Sequence, residues 1–338
     1  MQGTLQNRKQ LTLGSDPEMF LFSGLKLLPA YTFLPGKGPN VNMYWDGFQA
    51  EWKYDYEGNH CQNNLVYFTR QRLQDLLEAA QKHDKNARLS LKNVVRIPDN
   101  LLKTAPQQCV ELGCMPSFNA YGLKGNIQVV DPRKLLHRCA GGHMHFGTWE
   151  APPPYEKIVK TQDAVLGVWS VGAAQHIDNP ARRKQYGLPG EYRKPKYKNG
   201  YGVEYRVLSN FWLASPSTLQ LTWDIGRLTV RLATSRYRNM WVADEQEVTD
   251  TILNSDVEQA SKILKRNKGM FDWMLRAVYR TKKARDMAFQ VGLDGIETVV
   301  NNPEDFKRNW HFRAEWIPNG GQPWARWETS VAGRECDV

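Results

Sequence analysis

Four short stretches of the chain carry polar side chains at spacings that could do chemistry. Gly14-Ser15-Asp16-Pro17-Glu18 sets two carboxylates two residues apart. Alternate side chains share a face of a strand, so Asp16 and Glu18 read as a pair able to share a cation. Pro17 has no N–H to give a ladder, which puts this stretch at an edge or a bulge. Gly141-Gly142-His143-Met144-His145-Phe146-Gly147 turns both imidazoles to one face and Met144 and Phe146 to the other. Two such rings can ligate a metal or meet phosphate and carboxylate groups, and the flanking glycines allow a ligand close approach. In Gly202-Val203-Glu204-Tyr205-Arg206-Val207-Leu208, Glu204 and Arg206 share the face opposite Val203, Tyr205 and Val207. On a sheet surface they would be a salt bridge. At an ATP site the carboxylate would hold a metal and the guanidinium would take a phosphate with two donors. The fourth stretch runs from Arg182-Arg183-Lys184 through Tyr186-Gly187-Leu188-Pro189-Gly190-Glu191-Tyr192-Arg193-Lys194 to Lys196 and Lys198. A solvated basic face has this composition, as does a surface for single-stranded nucleic acid. Glycines and aromatics among the charges suit a mobile flap over a polyanion.

The elements that must position these residues follow from the hydrophobic pattern. Leu11 to Phe22 alternates as one strand, and the turn LPGKGPN at 34–40 precedes a second strand from Phe48 to Tyr56. In that strand Phe48, Ala50, Trp52, Tyr54 and Tyr56 share one face, with Gln49, Glu51, Lys53 and Asp55 on the other. A helix over Asn63–His83 carries Leu65, Phe68, Leu73, Leu76 and Leu77 at helical spacing. A short strand holds Gly142–Gly147, and a helix over Tyr155–His176 starts after three prolines. Residues 179–202 read as a Pro/Gly-punctuated loop and Gly202–Ser209 as a strand. Helical periodicity then takes over, at 217–247, 250–267 and 270–291. Strands first and helices later, without regular β-α alternation, argue an α+β fold.

Composition narrows the partners. The 338 residues are 41% hydrophobic with twelve tryptophans, which excludes a largely disordered chain and fits one domain spanning 1–338. The motif-bearing part is 11–210 and the helical part 215–338. No apolar run approaches the roughly 20 residues that span a bilayer, and the first residues lack a signal-peptide core, so a cytoplasmic protein is expected. A net charge of +10 favours anionic partners without choosing among them. Five cysteines without regular spacing read as reduced thiols. A zinc site of Cys109, Cys114, His137 and Cys139 would need an unfamiliar spacing.

Taken in order, GSDPE, DGFQAEW (Asp46 to Trp52), GGHMHFG, YGLPGEYR and VEYR resemble the carboxylate-amine ligases encoded by tailed phages. That family is grouped with glutamine synthetase and glutamate-cysteine ligase. The resemblance covers about residues 11 to 210 and lies in short motifs. It implies a curved antiparallel sheet of the glutamine-synthetase type with helices on one face. It implies an ATP-dependent ligase that joins a carboxylate to an amine through an acyl phosphate, with Mg²⁺ or Mn²⁺. Carried over by position, Glu18, Glu51, Glu204 and His143 would be metal ligands. Arg206, Arg193 and His143 would be catalytic, and Arg193, Arg206, His145 and Lys37 would hold ATP. Relatives often show Glu-x-Glu on the first strand, where this chain has Asp16-Pro17-Glu18. The acid substrate could be free glutamate, a peptide terminus, a cell-wall fragment or a base precursor, and the host cytoplasm is the expected compartment. The rival reading is a basic nucleic-acid-binding or virion-associated protein, to which Tyr186, Tyr192, Tyr197 and Tyr201 among the lysines and arginines would suit. That reading leaves Glu18, Glu51 and Glu204 without a purpose.

Overall fold

In the computed structural model the described residues are 11–53, 62–111, 117–123, 131–197 and 200–312. Among the described residues, thirteen strands form three antiparallel sheets. In chain order they are β1 (Thr12–Ser15), β2 (Glu18–Ser23), β3 (Lys26–Leu28), β4 (Met43–Asp46), β5 (Gln49–Trp52), β6 (Ala87–Ser90), β7 (Val94–Arg96), β8 (Phe118–Asn119), β9 (His137–Cys139), β10 (Met144–Trp149), β11 (Glu191–Arg193), β12 (Lys196–Tyr197) and β13 (Gly200–Tyr205). One sheet runs β1-β10-β13-β11-β8, with β12 also on β13. A second runs β3-β2-β5-β4, with β6 also on β2, and β7 pairs with β9 alone.

The single strand expected over Leu11–Phe22 is two. The chain stops pairing at Asp16-Pro17 and continues in the second sheet. Pro17 cannot donate to a ladder, so the break falls where one sheet hands over to the other. Asp46-Gly47-Phe48-Gln49 closes the β4–β5 hairpin through a two-residue turn, with Gly47 at φ 63 and Asp46 opposite Gln49. Residues 54–56 of the expected second strand lie outside the described residues.

The helices pack behind these sheets. Gln62–His83 lies on β6, and Phe68, expected on its buried stripe, is exposed and rests against Tyr67 instead. Tyr155–Gln162 packs against β13 and against the helix Pro216–Ala233. Within the expected Tyr155–His176 helix, residues Asp163–Gly167 widen to π geometry before Val168–Ala173 resumes. The long C-terminal helices are shorter and more numerous than periodicity alone suggests. Pro216–Ala233 begins at a Ser215 capping box, and Glu245–Asn254 begins at an Asp244 capping box. Val257–Arg266 starts after an Asp256 cap, Lys268–Leu275 follows, and Lys282–Asp294 starts after a Thr281 cap. Each cap satisfies N–H groups at a helix start, and a helical pattern counted only in apolar residues runs straight over it. One contiguous apolar core runs from Leu13 to Trp310 and joins the sheets to these helices.

Candidate active site

The break at Pro17 divides the polar residues into two neighbouring groups. On the second sheet, β2 and β5 pair so that Glu18 lies directly opposite Glu51. The β4–β5 hairpin adds Asp46 and Tyr44 on the same face, because Tyr44 is opposite Glu51 and Asp46 opposite Gln49. Carboxylate oxygens of Glu18, Asp46 and Glu51 all lie within 4.8 Å of one another. Like charges directly opposite on a sheet repel. Among the described residues no lysine or arginine reaches these three carboxylates at ion-pair distance. Burial, with Asp46 and Glu51 beside it, holds the Glu18 carboxyl well above its ordinary range. Burial and the charge of Asp16 push Glu51 up to about 8, against the hydrogen bond it accepts from the Tyr44 hydroxyl. That phenol is raised in turn, by burial and by Glu51. The Gly141 N–H donates to Glu18 Oε2 at 2.6 Å. Lys37 sits 5.2 Å from the centre of the Tyr44 ring, at the edge of this group.

The second group stands on β10, β11 and β13. Register places His145 opposite Glu204, and Glu204 opposite Arg193. Asp16, on the connector between the sheets, accepts from both imidazoles. Its Oδ1 is 3.2 Å from His143 Nδ1 and 3.1 Å from His145 Nε2. Burial opposes the charge on Asp16, but His145 and His143 outweigh it and hold the carboxyl well below its ordinary value. His143 is itself lowered by burial and by Arg206. His145 is raised: burial acts against its charged form, and Asp16 overcomes it. Tyr197 Oη lies 3.3 Å from His145 Nδ1. Glu204 accepts from Arg206 and lies 3.6 Å from Arg193 Nη1 and 3.7 Å from His143 Nδ1. Glu191 also lies near Arg206, 3.9 Å from its Nε. Tyr205, between Glu204 and Arg206, donates to the buried Asp163 of the π segment at 2.6 Å, which fixes the end of β13.

The expected site residues therefore come together, with a different partition. Glu18 is grouped with Glu51 and Asp46 and Asp16 with His145 and Glu204, while the charge of Asp16 still reaches Glu18 and Glu51. The cation-capable trio that holds Glu204 is Asp16, His145 and Glu204. Asp46 stands in the DGFQAEW motif without being a candidate site residue; the two-residue Gly47-Phe48 turn pairs it with Gln49 and so puts it on the face of Glu51. The basic stretch also differs from a free flap. It forms a short 3-10 turn (Pro180–Lys184), β11 and β12. Arg182 and Arg183 are buried, and both donate to the Val207 carbonyl. A buried guanidinium needs its donors satisfied, and backbone carbonyls do that here. Cys109 is buried and Cys139 half-buried as free thiols, while Cys114 lies outside the described residues. Among the described residues, neither thiol joins a trio able to hold a metal.

No helix is long and apolar enough to cross a membrane among the described residues. Residues 126–316, just over half of the chain, match the family described as phage phiEco32-like COOH.NH2 ligase, type 2. The matched stretch holds His143, His145, Arg193, Glu204 and Arg206, and the Glu18, Asp46 and Glu51 cluster precedes it. No curated protein matches the chain.

Proposed function

The chain belongs to the phage phiEco32-like COOH.NH2 ligase type 2 family, a family of carbon–nitrogen ligases, and we propose that it joins a carboxylate to an amine at the expense of ATP. A carboxylate does not condense with an amine at neutral pH, because oxide is a poor leaving group. Transfer of the γ-phosphoryl group to the carboxylate oxygen breaks the bond to ADP and forms an acyl phosphate. The amine then attacks the acyl carbon, phosphate leaves with the electron pair, and the amine gives up a proton.

The observation that carries this reading is the placing of three carboxylates, buried at Glu18 and Glu51 and half-buried at Asp46, near a His-Asp-His and Glu-Arg-Arg set. Glu18, Asp46 and Glu51 offer only oxygen and lack a cation partner among the described residues, so they fit a hard divalent cation. Mg²⁺ there, with Mn²⁺ as the nearest substitute, would supply electrostatic stabilisation to the phosphoryl oxygens. A second cation would find Asp16, His145 and Glu204. Arg206 and Arg193, set in place by Glu204, would take up the charge that develops on the transferring group. We assign nucleotide contact to His145 and Lys37, and a place at a cation to His143, which is held against Asp16. We take the two sheets as the curved glutamine-synthetase type, the chain as one catalytic domain, and its setting as the cytoplasm of a phage host. The nucleic-acid reading loses support because Arg182 and Arg183 are committed to carbonyls inside the protein.

Thermal melting with ATP tests the reading. ATP at about a hundredfold excess over Kd should stabilise the protein by roughly 2.7 kcal/mol with Mg²⁺ present, and far less with chelator. Hydroxylamine should then trap an acyl phosphate as a hydroxamate when candidate acids are supplied in turn. Equal stabilisation with and without the cation contradicts the reading.

A further inference from the structure

Tyr186 lies between the two groups of the site. Its hydroxyl donates to Glu18 Oε1 at 3.3 Å and accepts from Arg206 Nη2 at 3.4 Å. These are one carboxylate of the proposed cation cluster and the guanidinium proposed to receive the phosphoryl group. The ring is seated on both sides: edge-on to His143 at 5.2 Å between centres, and beneath the Arg206 guanidinium at 5.3 Å. Room for it comes from Gly141. A Cβ there would stand 2.7 Å from the Tyr186 ring and 2.8 Å from His143 Nε2, a buried nitrogen with no partner among the described residues.

The chain on either side of Tyr186 is anchored and hinged. Before it, Arg182 and Arg183 are buried, and the Tyr186 N–H donates to the Arg182 carbonyl at 2.7 Å. After it, Gly187 and Gly190 adopt φ 76 and φ 78, where glycine alone is free of strain. Glu191 ties the turn down by accepting from the Gly187 and Leu188 N–H groups at 2.8 and 3.1 Å. A surface tyrosine would need none of this support.

We propose that Tyr186 is a catalytic residue whose hydroxyl donates to the transferring phosphoryl group, from the position where it now bridges Glu18 and Arg206. The proposal rests on the ligase reading. With Glu18 committed to a cation, the phenol no longer finds its acceptor there, and a phosphoryl oxygen lying between cation and Arg206 is the group that replaces it. The phenol keeps its proton throughout. The bond that forms is from carboxylate oxygen to phosphorus, the bond that breaks is from phosphorus to the ADP oxygen, and ADP leaves with the electron pair. A donor aimed at charge that grows during transfer stabilises the transition state more than bound ATP.

Tyr186→Phe isolates the hydroxyl, since the ring contacts to His143 and Arg206 remain. Calorimetry on the full chain should give wild-type affinity, within about threefold, for Mg-AMP-PNP. Affinity for Mg-ADP with aluminium fluoride, a mimic of the phosphoryl group in transfer, should fall by about a hundredfold. The melting temperature without nucleotide should be unchanged. Equal weakening of both ligands would make Tyr186 structural, and tighter Mg-AMP-PNP binding would make the hydroxyl an obstacle. Either result overturns the role, as does an unchanged fluoride complex or a wild type that gains nothing from the fluoride over Mg-ADP alone. If wild type binds no nucleotide with Mg²⁺, the ligase reading itself fails and the role falls with it. If wild type binds Mg-AMP-PNP but the substitution leaves the aluminium fluoride complex unweakened, the role of Tyr186 alone falls.

Discussion

Glu51→Gln should change how stability depends on pH. The Glu51 carboxyl ionises at about 8 in the metal-free fold, against an ordinary value of 4.5. Between those values the folded state binds the proton and the unfolded chain does not, so stability is greatest below pH 4.5 and falls as pH rises through 8. Each unit is worth about 1.4 kcal/mol, so the fall from pH 6 to 8 comes to roughly 2–3 kcal/mol. At about 2.1 cal/mol/K per residue over 338 residues, 1 kcal/mol moves Tm by about 1.4 °C, and the fall corresponds to roughly 3–4 °C. Glutamine keeps an acceptor for the Tyr44 hydroxyl and removes the proton equilibrium. The difference between wild type and variant also removes the contribution of His145, which is raised in both, and Asp16, which is depressed, changes only at lower pH. Glu18, raised partly by Glu51, ionises more readily in the variant and so adds to the difference in the same direction. The assay is differential scanning calorimetry from pH 6 to 9 in chelator, where wild type should lose stability faster than Glu51→Gln by about this amount. Parallel slopes would refute the reasoning, because Glu51 would then ionise as an exposed carboxyl does.

Arg206→Lys keeps a charge but loses the planar pair of donors. It should bind Mg-ATP within a few-fold of wild type while hydroxamate formation falls about a hundredfold; equal turnover would reduce the Glu204–Arg206 pair to a buried salt bridge. Gly141→Ala should cost about 1–3 kcal/mol in urea denaturation, since the added methyl meets the Tyr186 ring and His143, and it should also weaken Mg-nucleotide binding. A stability loss without a binding loss would detach that glycine from the site. Asp163→Ala removes the acceptor of the Tyr205 hydroxyl and leaves it buried, so a loss of about 1–3 kcal/mol is expected in the same measurement, and no loss would mean that Tyr205 finds another partner.

Much of the site was legible because alternation on strands is a strict rule. His143 and His145 share a face and meet at Asp16, and Glu204 and Arg206 share a face and pair with each other. What alternation could not show is where a strand changes sheets. Asp16 and Glu18 satisfy the pattern of one strand, yet Pro17 ends pairing and sends them to different partners. Asp46 was hidden for a different reason, since its place depends on the hairpin register and not on its own strand. The basic stretch misled because charge suggests solvent, whereas Arg182 and Arg183 find their acceptors in backbone carbonyls that only the folded chain brings near. In the helical part the periodicity located the apolar faces well. The ends were set by Ser215, Asp244, Asp256 and Thr281, whose hydrogen bonds to the first turn outweigh the continuity of the apolar pattern.

The most direct test is a crystal structure with Mn²⁺ and a non-hydrolysable ATP analogue, read from the anomalous signal of the metal. A cation among Glu18, Asp46 and Glu51, with the terminal phosphate reaching Arg206 and Arg193, is the result the ligase account predicts. Analogue and manganese bound elsewhere, with these carboxylates still facing one another bare, would contradict it.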